Sequence, residues 1–411
     1  LQLEIWIPGE PSPQERAELR ALHKEADPEW EFPELKSLRL QLHDDDWLPR
    51  VVAPRATSLD LYPHSYQQTM RLALALPKLR RLHCDTWMTF VGEPELRTAC
   101  CQQFITAIRE GAFPEMERFD LYLTLPVTFC TVLTHWRRLI SLHVELHPPI
   151  DLEYVDAMMQ QLPELTRLET LDIRCLSRFR GFSDQHRDAA PPRLASAPQV
   201  AGVDRSLPSL QKLHLDFARD DMFRRLRFPA LTEFGLGGGD VVVVDLCTLL
   251  LRMPKVRFFR NESYSRERRS EVRFGGGTGG DEMIESLEQA SFVDSTMNDS
   301  DILSFLAAAP SLRTLNVSRG LTVAVVLGLA SDTKPAPASL TSMSVHLEDT
   351  AEQKEEVDWK SVLLTVAMRC PELVRLGVND EHPQFAQLEA AAQQLHLDPA
   401  LSVVPKFYVG W

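Results

Sequence analysis

FPELKSLRL (Phe32–Leu40) decides the fold of this chain, because close copies of it keep returning. LPKLRRLHC (Leu76–Cys84), FPEMERFDL (Phe113–Leu121), LPSLQKLHL (Leu207–Leu215), FPALTEFGL (Phe228–Leu236), APSLRTLNV (Ala309–Val317) and CPELVRLGV (Cys370–Val378) follow it. Looser copies are RATSLDL (Arg55–Leu61), WRRLISLHV (Trp136–Val144), LTRLETLDI (Leu165–Ile173), MPKVRFF (Met253–Phe259) and SLTSMSV (Ser339–Val345). Repetition at a few tens of residues is the mark of a solenoid, in which each unit buries its apolar side only against its neighbours.

The last two leucines of the phrase alternate with a polar residue, the period of a half-buried strand. Between phrases the period becomes helical, over Gln67–Leu76, Thr98–Glu110, Leu152–Leu162, Asp301–Ala309 and Asp358–Arg369. These segments stop near Pro or Gly, and Pro also pushes the preceding residue towards extended backbone. Each unit therefore reads strand, turn, helix. Parallel neighbouring strands need a crossover, which the helix supplies, and such crossovers are right-handed almost without exception. The expected fold is α/β: a right-handed solenoid with a parallel sheet on its concave face and helices on its convex face.

The repeat is uneven. Leu210 to Leu231 spans 21 residues and Leu168 to Leu210 spans 42. The excess falls near 177–206, rich in Pro, Ala and Arg, and near 261–280, charged and then glycine-rich. Both read as loop insertions in one domain spanning 1–411. The chain opens on Leu1 within a strand-like stretch to Ile7, and a segment upstream is expected.

Composition narrows the function classes. With 44% hydrophobic and 25% charged residues the chain is ordinary for a globular protein. A net charge of -14 disfavours general nucleic-acid binding. No apolar run reaches the ~20 residues of a membrane span. Seven cysteines without a Cys-x-x-Cys pattern point to a reduced, intracellular protein. Against this, Asn261, Asn298 and Asn316 each begin an Asn-x-Ser triplet.

The Leu-x-x-Leu-x-Leu core, recurring across essentially the whole chain, resembles the leucine-rich repeat superfamily. The usual Asn or Cys three residues after the last consensus position is replaced by His43, His64, Trp87, Thr124 and His147. That departure, the variable unit length and the Phe-Pro or Cys-Pro before strands resemble the repeat region of fungal F-box proteins. The resemblance implies a ubiquitin ligase substrate receptor. Its repeats would hold the substrate, and an N-terminal F-box would dock on the ligase adaptor. F-box helices are not seen in this chain.

Alternate strand residues share a face. The central outward row should run Arg39, Asp60, His83, Asp120, His143, Asp172 and His214. The next row reads Gln41, Tyr62, Asp85, Tyr122, Glu145, Arg174 and Asp216. With strands ~4.8 Å apart each imidazole reaches an aspartate. The aspartates favour the charged imidazole, so the stripe is a candidate pH-sensitive surface. Tyrosines beside fixed charges suit a protein partner, and this concave-face stripe is the first candidate site. A solvated polar ladder that merely satisfies the sheet face is the plainer reading.

Other motifs carry less. No Ser or Cys falls in the central row through His214, so a nucleophile–base pair lacks its nucleophile there, and no catalytic residue is expected. His143 and His147 stand ~13 Å apart along a strand, too far to share a metal ion. GGGTGG (Gly275–Gly280) precedes Asp281 and Glu282 instead of the Lys-Ser/Thr of a phosphate loop. Asp44–Asp46 have the wrong spacing for a calcium loop. A basic island including Arg260, Arg266, Arg268, Arg269 and Arg273 is a secondary candidate for an acidic or phosphorylated partner. The sum is a non-enzymatic protein-binding module without cofactor or metal, contacting neither nucleic acid nor membrane. Alternatives are an assembly subunit of a larger complex and a secreted or surface recognition module.

Overall fold

The structure, a computed structural model, describes residues 2–6, 29–41, 50–62, 66–84, 94–125, 127–146, 158–159, 161–175, 205–219, 223, 226–243, 245–262, 271–274, 283–293, 297–331, 336–347, 357–379, 382, 384–395 and 401–405. It falls into two compact units, Leu1–Leu176 and Ser177–Trp411.

In the first unit the strands are β1 (Gln2–Trp6), β2 (Glu29–Glu31), β3 (Ser37–Gln41), β4 (Arg50–Val52), β5 (Ser58–Tyr62), β6 (Arg81–Cys84), β7 (Arg118–Leu125), β8 (Ser141–Leu146) and β9 (Thr170–Cys175). The main sheet has the order β1-β3-β5-β6-β7-β8-β9, and its paired neighbours are parallel. β2 and β4 pair separately, also in parallel. Helices α1 (Tyr66–Leu74) and α2 (Pro94–Arg109) lie where the helical period places them, within four residues at either end. Other crossovers use 3-10 turns, Val127–His135 and Leu162–Glu164. Met158, Met159 and Gln161 are helical within the expected Leu152–Leu162 helix, and the second 3-10 turn follows them.

The second unit holds β10 (Arg205–Ser206), β11 (Lys212–Arg219), β12 (Leu226–Arg227), β13 (Glu233–Val243), β14 (Phe258–Glu262), β15 (Glu271–Val272), β16 (Gln289–Val293), β17 (Thr314–Leu321), β18 (Ser342–Leu347), β19 (Arg375–Val378) and β20 (Ser402–Pro405). Its main order is β11-β13-β14-β16-β17-β18-β19-β20, again parallel, with β15 on β13 and β10 on β12. Helices α3 (Leu246–Leu251), α4 (Asp299–Ala308), α5 (Ala324–Ala330), α6 (Trp359–Arg369) and α7 (Phe385–Gln394) connect them. Of the two expected insertions, 177–204 lies outside the described residues. The other contains Glu271–Val272, which add a short strand to β13.

The consensus positions form the core. Leu35, Leu38 and Leu40 are buried, as are their counterparts Leu79, Leu82 and Cys84, Met116, Phe119 and Leu121, and Leu312, Leu315 and Val317. Aromatic residues thicken this core in both units. Phe119 stacks on Phe129 at 5.4 Å and packs on Trp136 at 4.8 Å, while Phe292 meets Phe305 edge-on at 5.2 Å. One core position breaks the rule: Asn261, in register with Leu236 and Phe292, is fully buried. A glycan cannot be attached to that side chain in the folded state. Asn298 caps α4 instead, its side chain accepting the Asp301 N–H at 3.0 Å while Asp301 reaches back.

Backbone bonds tie the repeats together at the strand starts. The Lys36 carbonyl accepts N–H groups from Thr57 and Ser58, and Thr57 O accepts Arg80 and Arg81. The pattern continues at Arg80, Glu117 and Ile140 in the first unit. In the second it recurs at Gln211, Thr232, Arg257, Glu288, Arg313 and Thr341. These paired bonds hold the turns together without an asparagine ladder. Hydroxyls reinforce them, as where Thr341 Oγ1 donates to Arg313 O at 2.9 Å.

Candidate recognition surface

Register places the central row on neighbouring strands. Glu4 pairs with Arg39, Arg39 with Asp60, Asp60 with His83, His83 with Asp120, Asp120 with His143, and His143 with Asp172. From Arg39 to Asp172, charged and imidazole side chains thus follow one another strand by strand on the face opposite the core.

Three clusters stand along the row. At one end Arg39 Nε lies 3.2 Å from Asp60 Oδ2, Arg39 Nη2 donates to the Tyr62 hydroxyl at 2.9 Å, and the guanidinium carbon is 5.2 Å from the Tyr62 ring centre. In the middle, burial holds the Asp120 carboxyl above its usual range. His83, His143, Arg118 and a hydrogen bond from Ser141 pull the other way. At the far end His143 Nδ1 is 2.8 Å from Asp172 Oδ2, and Arg174 donates to both Asp172 oxygens, from Nε at 3.2 Å and from Nη2 at 3.0 Å. His143 is itself buried, with only 7% of its surface exposed, so it belongs as much to the sheet as to the surface. Arg174 is the exposed arm of that cluster.

The second row is less regular than the alternation implies. Gln41 faces Tyr62 and Glu145 faces Arg174 as expected. Between β7 and β8, however, the register shifts after Leu121, and Glu145 faces Thr124 instead of Tyr122. Two extra β7 residues, Tyr122 and Leu123, form a bulge, which alternation alone does not announce. Asp85 lies outside the described residues.

In the second unit the same outward row changes character. It runs His214, Gly235, Arg260, Ser291, Asn316, Ser344 and Gly377. His214 Nε2 lies 3.0 Å from Asp216 Oδ1, and Asp216 is buried. The two side chains lean over β13, where only glycine leaves room. A methyl at Gly235 would collide with the His214 ring and one at Gly237 with the Asp216 carboxylate. Beyond Arg260 the row is short and uncharged, with Asn316 Nδ2 donating to Ser291 Oγ at 3.4 Å. Of the basic island, Arg260 is half-buried in this row and Arg273 is exposed after β15. Arg266, Arg268 and Arg269 lie outside the described residues.

Cysteine chemistry is muted. Cys84, Cys101, Cys130 and Cys370 are buried, and burial pushes the Cys130 thiol up to about 12 and that of Cys370 up to about 11. Both stay protonated and non-nucleophilic at neutral pH. Among the described residues, no three His, Cys, Asp or Glu side chains come together to hold a metal ion, and no helix is long and apolar enough to cross a membrane.

No protein-family model matches the chain, and no curated protein does. Thirty chains of solved structures match it. One comes from the crystal structure of a Rad7 and Elc1 complex in yeast, 15% identical to this protein, with a TM-score of 0.34. The match covers 96% of this chain and 85% of that one.

Proposed function

We propose that this protein is a non-enzymatic leucine-rich repeat module, a right-handed solenoid of one domain that binds another protein along its concave strand face. The observation that carries the reading is the in-register row from Arg39 to Asp172, half-exposed apart from buried His143 and alternating in chemistry on a parallel ladder. A rigid repeated sheet fixes those side chains in space while leaving their identities free, which suits recognition. Buried thiols suit work inside the cell. The finer version makes the chain the substrate-holding part of an F-box-type ubiquitin ligase receptor, and rests on the resemblance in the sequence.

Charge reversal tests it. Asp120→Lys combined with Arg174→Glu changes two outward charges and spares Asp172, which braces His143. Proteins retained by the full chain are identified by mass spectrometry. Loss of a retained partner, with native circular dichroism, is the expected result. Unchanged retention sinks the concave-face reading. A cullin scaffold with its adaptor among the retained proteins supports the ligase role, whereas a stoichiometric complex without ligase components makes the chain an assembly subunit.

A further inference from the structure

We infer that the partner of the Leu1–Leu176 face is a polyproline-II segment with a basic residue at every third position, lying across the strands along the Arg39–Asp172 row. This narrows the recognition reading above and rests on it.

Spacing is the first argument. Asp60, Asp120 and Asp172 stand at matching register on β5, β7 and β9, with His83 and His143 on the strands between. Strands ~4.8 Å apart bring a carboxylate back about every 9.6 Å. A polyproline-II chain rises ~3.1 Å per residue with three residues per turn, so every third side chain returns to the same edge after about 9.3 Å. Over the two steps from Asp60 to Asp172 the mismatch is only about 0.6 Å. The other regular conformations fit worse. In an extended strand, residues three apart point to opposite faces. A helix recurs every ~5.4 Å, and two turns overshoot the step by about 1.2 Å each time.

The groups between the carboxylates fit the same occupant. Prolines of a polyproline-II segment pack on flat ring faces. Half-exposed His83 offers such a face between Asp60 and Asp120, and half-exposed Tyr62 offers one at the Arg39 end.

Charge supplies the third argument. Asp120 is half-buried, and its neighbours only partly offset the cost of desolvating its carboxylate, so a cation from outside has something to gain there. Arg81 and Arg118 are exposed two residues nearer the strand starts, beside the row and not on it. They repel a uniformly basic partner. A base at every third residue stands over the carboxylate strands β5, β7 and β9 and passes over β6, the strand of Arg81, while Arg118 shares β7 with Asp120.

The test compares two labelled proline-rich peptides with equal numbers of lysines, one with lysine at every third residue and one at every fourth. Binding to the full chain is followed by fluorescence anisotropy. The period-three peptide should bind more tightly. Asp120→Asn, verified as folded by circular dichroism, should weaken it about fivefold, the upper end for a partly exposed ion pair, and leave the period-four peptide unaffected. Equal binding of the two peptides, or indifference to Asp120→Asn, overturns the inference. If charge reversal abolishes capture of the native partner but the period-three peptide does not bind, recognition by this face stands and the polyproline-II occupant falls. If capture is also indifferent to charge reversal, both readings fall.

Discussion

The outward rows of the two units differ sharply, although the strands that carry them are built alike. In the first unit the row is Arg39, Asp60, His83, Asp120, His143 and Asp172; in the second, past Arg260, it is Ser291, Asn316, Ser344 and Gly377. Behind both rows stand buried leucines, valines and phenylalanines, and beside both run the paired carbonyl bonds at the strand starts. Because successive side chains of a strand point to opposite faces, the core and the outward chemistry are written on separate sides of the same strands. One side can change without disturbing the other.

The largest effect should ignore that difference. Leu142→Ala in the first unit and Leu315→Ala in the second each empty a fully buried site, and each should cost about 2–5 kcal/mol in urea denaturation. A much smaller loss in either unit would mean that the two cores are not equivalent. Next comes a change available only where glycine clears the floor. Gly237→Ala should cost about 2 kcal/mol, because its methyl meets the Asp216 carboxylate. Combining it with Asp216→Ala should recover part of that loss in a double-mutant cycle, and strict additivity would deny the contact. In the charged row Asp172→Asn weakens the bonds from His143 and Arg174 and should cost about 1 kcal/mol, since Arg174 is exposed.

Asp120→Asn should give the smallest change in stability, and of opposite sign. Burial raises the folded-state value of this carboxyl above its unfolded value, so between the two the folded protein holds the extra proton. Stability therefore falls as pH rises through that window, and the penalty is fully present above it. The asparagine variant should be slightly more stable than the parent at neutral pH, with the advantage closing as the solution is made acidic. Denaturation curves at several pH values would reveal it. A gain in stability alongside a loss of partner binding is the signature of a residue kept for contact and not for folding.

Much of the ladder is legible in the sequence because leucine at three fixed offsets states both burial and strand period at once. Where other residues take those offsets the signal fades. β16 escapes notice because Ala290 and Phe292 stand in for leucines and no proline precedes it, although Leu287 fills the first position. Asn261 occupies a core site that composition marks as polar. The candidate row follows from counting, since backbone alternation is rigid up to the end of a regular strand. Counting fails at the β7 bulge, where Tyr122 and Glu145 part company. The leaning of His214 and Asp216 over Gly235 and Gly237 is hidden as well, because it depends on what the neighbouring strand lacks.

The paired carbonyl bonds bear on how such a chain can change length. They fasten the repeats along one margin, at the strand starts, whereas the register slips of β7, β13 and β17 all fall towards the opposite ends of their strands. Each unit is bound like a book, stitched down one edge with leaves of unequal width. A leaf may gain or lose residues at its free margin, and the next is still sewn in at the same stitch. Within a unit, errors of length therefore do not accumulate from one repeat to its successor, and a spacing of 21 residues (Leu210 to Leu231) can share a unit with one of 33 (Leu340 to Leu373).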